Sequence, residues 1–107
     1  MALYTNAQLY KGTLTSTLTT NLYAVPATAK ALIKEISICN SSAAPVQVTI
    51  KAGVAVSEIY IYDALTVQAG ETITQGMAKM LNASEVIDGG DSVGGVVDIF
   101  ISGVLIT

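Results

Sequence analysis

The chain has 107 residues, of which 51% are hydrophobic and only 12% are charged, and its net charge is −3. This length predicts one domain over residues 1–107, and the composition is too apolar for a disordered protein. There is no Arg and the five Lys are scattered, so the sequence lacks the basic patch that nucleic-acid binding needs. The low charge leaves two interpretations open. Either apolar surface is buried against neighbouring copies or partners, or uncharged polar side chains solvate the surface.

The first third of the chain shows the period-two alternation of strands with one buried face. Residues 1–20 are predicted to be an edge strand or an assembly arm. Residues 13–22 carry Leu at every fourth position among threonines, which also fits a helix, but Thr favours sheets and we predict a strand or an extended segment. Lys30–Asn40 is predicted to be a long strand, with Leu32, Ile36 and Ile38 on one face and Ile33 on the other. This mixture predicts a bulge near Lys34 or Glu35, or burial of both faces.

Shorter segments follow, separated by residues typical of turns. The predicted elements are strands at residues 46–51, 58–62 and 72–74, a helical turn at 76–83, a brief strand at 86–87, a turn at 88–91 and a long strand at 96–107. Seven to nine short strands with turns about every ten residues predict an all-β fold, namely an antiparallel, jelly-roll-like β-sandwich.

No catalytic constellation is found, and we predict that the protein is not an enzyme and has no cofactor. The absence of His removes the usual general base and the commonest zinc ligand. The single Cys39 lies in an apolar strand pattern, which favours a buried, inert thiol. Residues 88–92 could supply oxygens to Ca²⁺, but Asp and Gly are ordinary turn residues, so we favour a solvated turn and predict no metal site.

Four side chains are candidates for a protein interface. If Val and Ile fill the inner face of the last strand, Phe100 faces outward. A bulge at Ser102-Gly103 would then put Leu105 outward too, with Val104 and Ile106 inward. The other two candidates, Tyr60 and Tyr62, are predicted to alternate outward on an earlier strand, where they could stack on sugar rings or pack across strands.

Five short motifs occur in an order that resembles a group of small bacteriophage virion proteins, over about residues 22 to 107. They are LYAVPA at 22–27, KEISICNSS at 34–42, AGET at 69–72, MLNA at 80–83 and ISGVLIT at 101–107. The resemblance implies a β-sandwich, a role in particle assembly or decoration, and no catalytic residues. Members of the group often have a polar residue where this chain has Leu105, a departure that fits a contact strand.

The sequence therefore predicts a virion structural protein acting as a capsid decoration, neck or tail component through protein–protein contacts. Its expected partners are other virion proteins and further copies of itself, with no nucleic acid and no membrane. The N-terminus shows no secretion signal and no apolar run is long enough for a membrane span, so synthesis in the host bacterial cytoplasm is expected. The alternative is a carbohydrate- or receptor-binding module of a phage tail fibre.

Overall fold

Residues 3–107 are described by a computed structural model, in which the chain forms strands joined by turns and loops. Among these residues no helix is long and apolar enough to cross a bilayer. The predicted arm falls outside the described range at residues 1 and 2. The strands are β1 (Tyr4–Thr13), β2 (Asn21–Ala24), β3 (Lys30–Asn40), β4 (Val46–Gly53), β5 (Ile59–Val67), β6 (Thr72–Leu81), β7 (Val86–Asp91) and β8 (Val97–Ile106).

The strands form two four-stranded antiparallel sheets. Sheet I has the order β1-β8-β3-β6, and sheet II has the order β2-β7-β4-β5. Every connection crosses from one sheet to the other except the β4–β5 hairpin, so the two sheets have to assemble together. This arrangement is a jelly-roll β-sandwich, and the predicted fold is confirmed.

Alternate residues of the central strands fill the space between the sheets. Ile36, Ile38 and Ile101 point inward from sheet I, and Val48 and Ile50 point inward from sheet II; all five are fully buried. Burying one such side chain contributes about 1.5–3 kcal/mol relative to leaving it exposed. The buried side chains form one contiguous cluster that spans both sheets.

Each of the four edge strands departs from regular pairing. β1 contains an extra residue at Leu9, and β2 contains one at Leu22. β5 shifts register twice against β4, and Ala64 within it has a φ of 52°. β6 gains a residue opposite the β3 bulge at Lys34, a bulge that the sequence predicts. Such irregularities hinder the addition of a further strand to an edge.

The predicted helical turn at residues 76–83 is wrong, because β6 continues to Leu81. Met77 packs against the core and Leu81 belongs to it. Residues four apart return to the same face of a strand as well as of a helix, so their spacing alone could not distinguish the two structures.

Residues 13–22 are predicted to be a strand or an extended segment, but residues 14–20 are not a strand and form the loop between β1 and β2. The Thr15 and Thr20 hydroxyls lie 2.9 Å apart, and Thr20 donates to the Thr17 carbonyl at 2.9 Å. Hydroxyl groups that bond nearby groups in this way compete with the strand ladder. The loop runs beside the second half of β7, where the Thr15 carbonyl accepts the Asp91 N–H at 2.9 Å.

The predicted turn at residues 88–91 is also wrong, because these residues complete β7, all six residues of which are buried. The two glycines serve close packing rather than a turn. A Cβ on Gly89 would lie 2.7 Å from the Thr49 carbonyl oxygen, and one on Gly90 would lie 2.6 Å from that of Thr17. A side chain at either position would collide with backbone.

Asn40 joins the two sheets at one end of the sandwich. It is fully buried at the end of β3, and its Nδ2 donates to the carbonyls of Ala44 at 2.8 Å and of Val67, on β5, at 3.0 Å. Its Oδ1 accepts the backbone N–H of Ser42 at 3.0 Å. A buried amide satisfied in this way fixes the β3–β4 turn against sheet II.

Candidate interaction surface

Of the two interface candidates on β8, only Phe100 faces outward. The extra residues that change register here lie in β1 and β3, so β8 itself alternates without interruption and Phe100 is 39% exposed. Leu105 therefore stays on the inner side and packs against the core, while Val104 and Ile106 point outward. The orientations predicted for Leu105, Val104 and Ile106 are wrong, and a contact role for Leu105 stays a prediction.

An apolar surface covers one half of the outer side of sheet I. The register places Leu32, Met80 and Val104 side by side on β3, β6 and β8, and Tyr4 next to Ile106 in the adjoining row. None of the five belongs to the core cluster or is packed against it. The open face is the name used here for the surface formed by Tyr4, Leu32, Met80, Phe100, Val104 and Ile106.

Two shallow hollows flank Phe100 on this side of the sheet. One, of about 430 Å³, is bordered by Phe100 and Lys34. The other, of about 350 Å³, is bordered by Phe100, Lys11, Cys39 and Asp98. A partly exposed apolar ring thus lies between hollows that together carry charges of both signs.

Cys39 is half-buried on β3 rather than fully buried, so the prediction for its environment is corrected. It lies opposite Asp98 and Thr72 in the sheet register and borders the second hollow. The apolar residues around Cys39 in the sequence did not reveal that Cys39 itself lies on the outer side of sheet I.

Tyr60 and Tyr62 do not form a shared aromatic platform. Register shifts in β5 pair Tyr62 with Ile50, and its ring packs against the core, where burial raises the pKa of the Tyr62 hydroxyl. That hydroxyl donates to Gln75 Oε1 on β6 at 2.7 Å. Tyr60 is 55% exposed, and the Lys51 ammonium lies 5.7 Å from its ring centroid. The aromatic surface that Tyr60 and Tyr62 offer is therefore the Tyr60 ring, which the Lys51 ammonium already faces.

Leu32 is a surface residue that the sequence pattern placed wrongly. The alternation grouped Leu32 with Ile36 and Ile38 on one face, but Lys34 is an extra residue and reverses the phase within β3. Ile33 consequently points inward and Leu32 outward. A bulge predicted near Lys34 was the signal that could have reversed this assignment.

On the outer side of sheet II, two carboxyl groups face each other. Asp88 on β7 is 8% exposed, and Glu58, just before β5, has an enclosed Oε1 without a hydrogen-bond partner. Burial, followed by contact with Glu58, raises the pKa of Asp88 to about 6, and the hydrogen bond between the carboxyls lowers the pKa of Glu58. The pair borders a cavity of about 250 Å³ together with Thr19, Asn21 and Lys51.

Asp91 lies apart from this pair. It is three residues from Asp88 along β7, so the two side chains point to opposite faces of sheet II. Its Oδ1 accepts the backbone N–H of Val93 at 2.8 Å and that of Gly94, which fixes the β7–β8 turn. The calcium arrangement weighed for residues 88–92 as a turn is therefore not formed.

The fold, with two facing four-stranded sheets in jelly-roll order, is similar to the folds of a viral capsid protein and of a pentameric eukaryotic protein. A structure of the VP2 subviral particle of infectious bursal disease virus matches 98% of this chain and 32% of its own at 10% identity, with a TM-score of 0.51. The Drosophila NLP-core, a structure described for pentamer formation and histone binding, matches 98% of this chain and 97% of its own at 14% identity, with a TM-score of 0.50.

A weaker likeness is to the capsid of Helicobacter pylori bacteriophage KHP30, at 13% identity over 100% of this chain and 86% of that one, with a TM-score of 0.46. The chain spans about a third of the length of the infectious bursal disease virus chains that it matches. No family model matches the sequence, and no curated protein matches it.

Proposed function

We propose that this chain is a structural protein of a bacteriophage particle, acting in capsid decoration or in neck or tail assembly through protein–protein contacts rather than by catalysis. The observation that carries the proposal is Phe100, an apolar ring that is 39% exposed on the open face and borders two hollows. The jelly-roll fold and the resemblance of the sequence motifs to small phage virion proteins support it.

The irregular edge strands make the faces of the sandwich, rather than its edges, the surfaces for contacts. All four edge strands are irregular, and they include the positive φ of Ala64 in β5. Assembly by strand addition needs a regular unpaired edge, so it is disfavoured here. The faces of the sheets and the end loops are the surfaces left for binding.

The occupant of the open face is a second copy of this chain. In a two-fold symmetric contact both copies use the same surface, so an apolar side chain on that surface has to lie beside a hollow that can accept its counterpart. Phe100 satisfies this condition because it borders two hollows and can enter the equivalent hollow of a partner. The second hollow carries both Lys11 and Asp98, which can pair across the same axis.

The first test is the oligomeric state of the purified chain, measured by light scattering coupled to size exclusion. We expect an oligomer that Phe100→Ser shifts toward the monomer, because an aromatic anchor at the centre of a contact carries much of its affinity. Phe100 lies outside the buried core, so the β-sheet circular dichroism and the thermal midpoint of this variant should stay close to those of the parent.

The matched control is Val93→Ser, which removes an apolar side chain that is 58% exposed on the β7–β8 loop, away from the open face. This variant should assemble like the parent. Equal loss of assembly in both variants, or no loss in Phe100→Ser, would contradict the proposed contact.

The second test concerns the particle itself. Antibodies against the purified chain should label phage particles whose genome encodes it, and the labelled position in electron micrographs distinguishes head, neck and tail. Failure to label intact or gently opened particles would overturn the virion assignment even if the chain forms oligomers. The tail-fibre alternative predicts glycan binding that Tyr60→Ala abolishes, since Tyr60 provides the exposed ring of the pair.

A further inference from the structure

The turn between β4 and β5 holds a branched apolar side chain in a backbone conformation that such residues rarely adopt. Val56 has a φ of 60°, and its side chain is 100% exposed. It occupies the third position of a turn that the Ser57 N–H closes on the Val54 carbonyl at 2.8 Å, a position where Gly or Asn is usual. A β-branched residue strains the backbone there. Because Val56 is fully exposed, packing within the chain does not compensate for this strain.

The apolar surface around Val56 includes its neighbours. The hairpin tip is the name used here for residues 53–57, which read Gly-Val-Ala-Val-Ser and carry no charge. Val54 is 61% exposed, and Ile59, the first residue of β5 after the tip, is 76% exposed. Single apolar residues on a surface are ordinary, but several neighbouring ones on one turn indicate a contact site.

An apolar hollow lies beside the hairpin tip. The edge hollow, of about 380 Å³, is formed between β5 of sheet II and β6 of sheet I, and Gly53 and Ile59 border it on the side of the tip. On β6 its border includes the small side chain of Ala78, which leaves room for a Val side chain. Lys79 and Glu85 carry opposite charges on this border, so the hollow has no net charge that would repel a second copy.

We propose that the hairpin tip of one copy inserts Val56 into the edge hollow of a second copy, which inserts its own Val56 in return. A two-fold symmetric contact needs an apolar side chain and a hollow on the same surface, and the tip and the edge hollow provide both. This contact is separate from the one through the open face, since Val56 lies on the β4–β5 loop and Phe100 on β8. Two different self-contacts on one chain join dimers into larger assemblies.

The test isolates the tip contact in the Phe100→Ser background, in which the open-face contact is removed. Sedimentation velocity over a range of concentrations should show a dimer of the Phe100→Ser chain. Adding Val56→Gly should raise the dissociation constant of that dimer by about tenfold or more. The thermal midpoint should not fall, because Gly adopts a positive φ without strain. Loss of association together with a lower midpoint would overturn the proposal, since Val56 would then serve the fold.

A mixing experiment tests whether the tip and the hollow meet each other. Ala78→Gln, in the same background, fills the edge hollow from β6 and should weaken the dimer as Val56→Gly does. A mixture of the two variants should regain part of the association, because the intact tip of one variant meets the open hollow of the other. An absence of recovery in the mixture would overturn the proposed contact.

Val93→Ser in the Phe100→Ser background is the matched control, since Val93 is 58% exposed on the β7–β8 loop, at the opposite end of β7 from the tip. This variant should dimerise as Phe100→Ser alone does. A Phe100→Ser chain that is monomeric at every concentration would overturn the tip contact and leave the open-face contact standing. Assembly that Phe100→Ser leaves unchanged but Val56→Gly abolishes would overturn the open-face contact and support the tip contact.

Discussion

The outer sides of the two sheets differ although their inner sides are packed alike. Sheet II covers the second half of β7 with the chain itself, as residues 14–20 approach Gly90 so closely that no Cβ fits there, while Ile59 and Tyr60 on β5 stay exposed. Sheet I leaves Phe100 and Met80 exposed on β8 and β6. Sheet II is thus covered within the molecule at one of its central strands, β7, whereas Phe100 is exposed on β8, a central strand of sheet I.

This difference separates stability from assembly. Substitutions on the covered side of sheet II should change the free energy of unfolding, because the backbone there has no space to move. Substitutions on the open face should change association with little effect on unfolding, because the side chains there are not part of the core. Substitutions at covered and at exposed positions test this division.

The largest effect on the free energy of unfolding is expected at Asn40, which joins the two sheets. Asn40→Ala should lower the free energy of unfolding by about 2–4 kcal/mol, because it leaves buried carbonyl and N–H groups unsatisfied at the ends of both sheets. Urea denaturation measures the loss. Ser41→Ala is the control, since its hydroxyl makes one exposed hydrogen bond, and it should cost less than about 1 kcal/mol. Similar losses in both variants would show that Asn40 does not hold the sheets together.

Substitution of Gly90 and of Gly76 by Ala tests whether the part of sheet II that residues 14–20 cover is more tightly packed than sheet I. Gly90→Ala should cost about 1–3 kcal/mol, because its methyl group would press on the Thr15 and Thr17 carbonyls. Gly76→Ala in β6 is the matched control: the nearest atom to its new Cβ is the Lys34 carbonyl oxygen at 3.9 Å, so stability should change by less than about 0.5 kcal/mol. Equal thermal midpoints for the two variants would remove the distinction between the covered and the open sheet.

The carboxyl pair makes the stability of sheet II depend on pH. Because the folded-state pKa of Asp88 is raised from 3.8 to about 6, the folded chain holds more protons than the unfolded chain between these values, and stability should fall as pH rises through this window. Asp88→Asn should flatten the fall and add about 1–2 kcal/mol at neutral pH, since one pKa unit corresponds to about 1.4 kcal/mol and solvent in the adjoining cavity weakens the effect. Denaturation curves across the window check this, and parallel pH profiles for variant and parent would refute it.

The smallest effect is expected where β5 meets β6. Tyr62→Phe removes the hydrogen bond to Gln75 and should cost about 0.5–1.5 kcal/mol. Tyr60→Phe removes a hydroxyl from a ring that is already exposed and should cost nothing measurable. A reversed order of the two costs would mean that Tyr60, and not Tyr62, ties the edges of the sandwich together.

Alternation in the sequence was sufficient to predict the sandwich and most of its strands, because side chains of period two must sort onto an inner and an outer side. Alternation was not sufficient to predict which face of a strand each side chain occupies once an extra residue interrupts the pattern. The extra residue at Lys34 put Leu32 on the opposite face from the one predicted, and the lack of a bulge in β8 kept Leu105 inward. The Glu58–Asp88 pair could not be foreseen, since its residues are thirty positions apart and approach each other only because β4 pairs with both β5 and β7.

The irregular borders of the sandwich have a consequence for the chain at high concentration. A protein with eight strands and apolar faces is at risk of growing into cross-β fibrils, which propagate by adding one straight strand to the next. Extra residues at Leu9 and Leu22 and the left-handed Ala64 interrupt the straight templates that such growth requires. The edges of the sandwich therefore disfavour fibril growth, which leaves its faces as the surfaces for the proposed contact between copies.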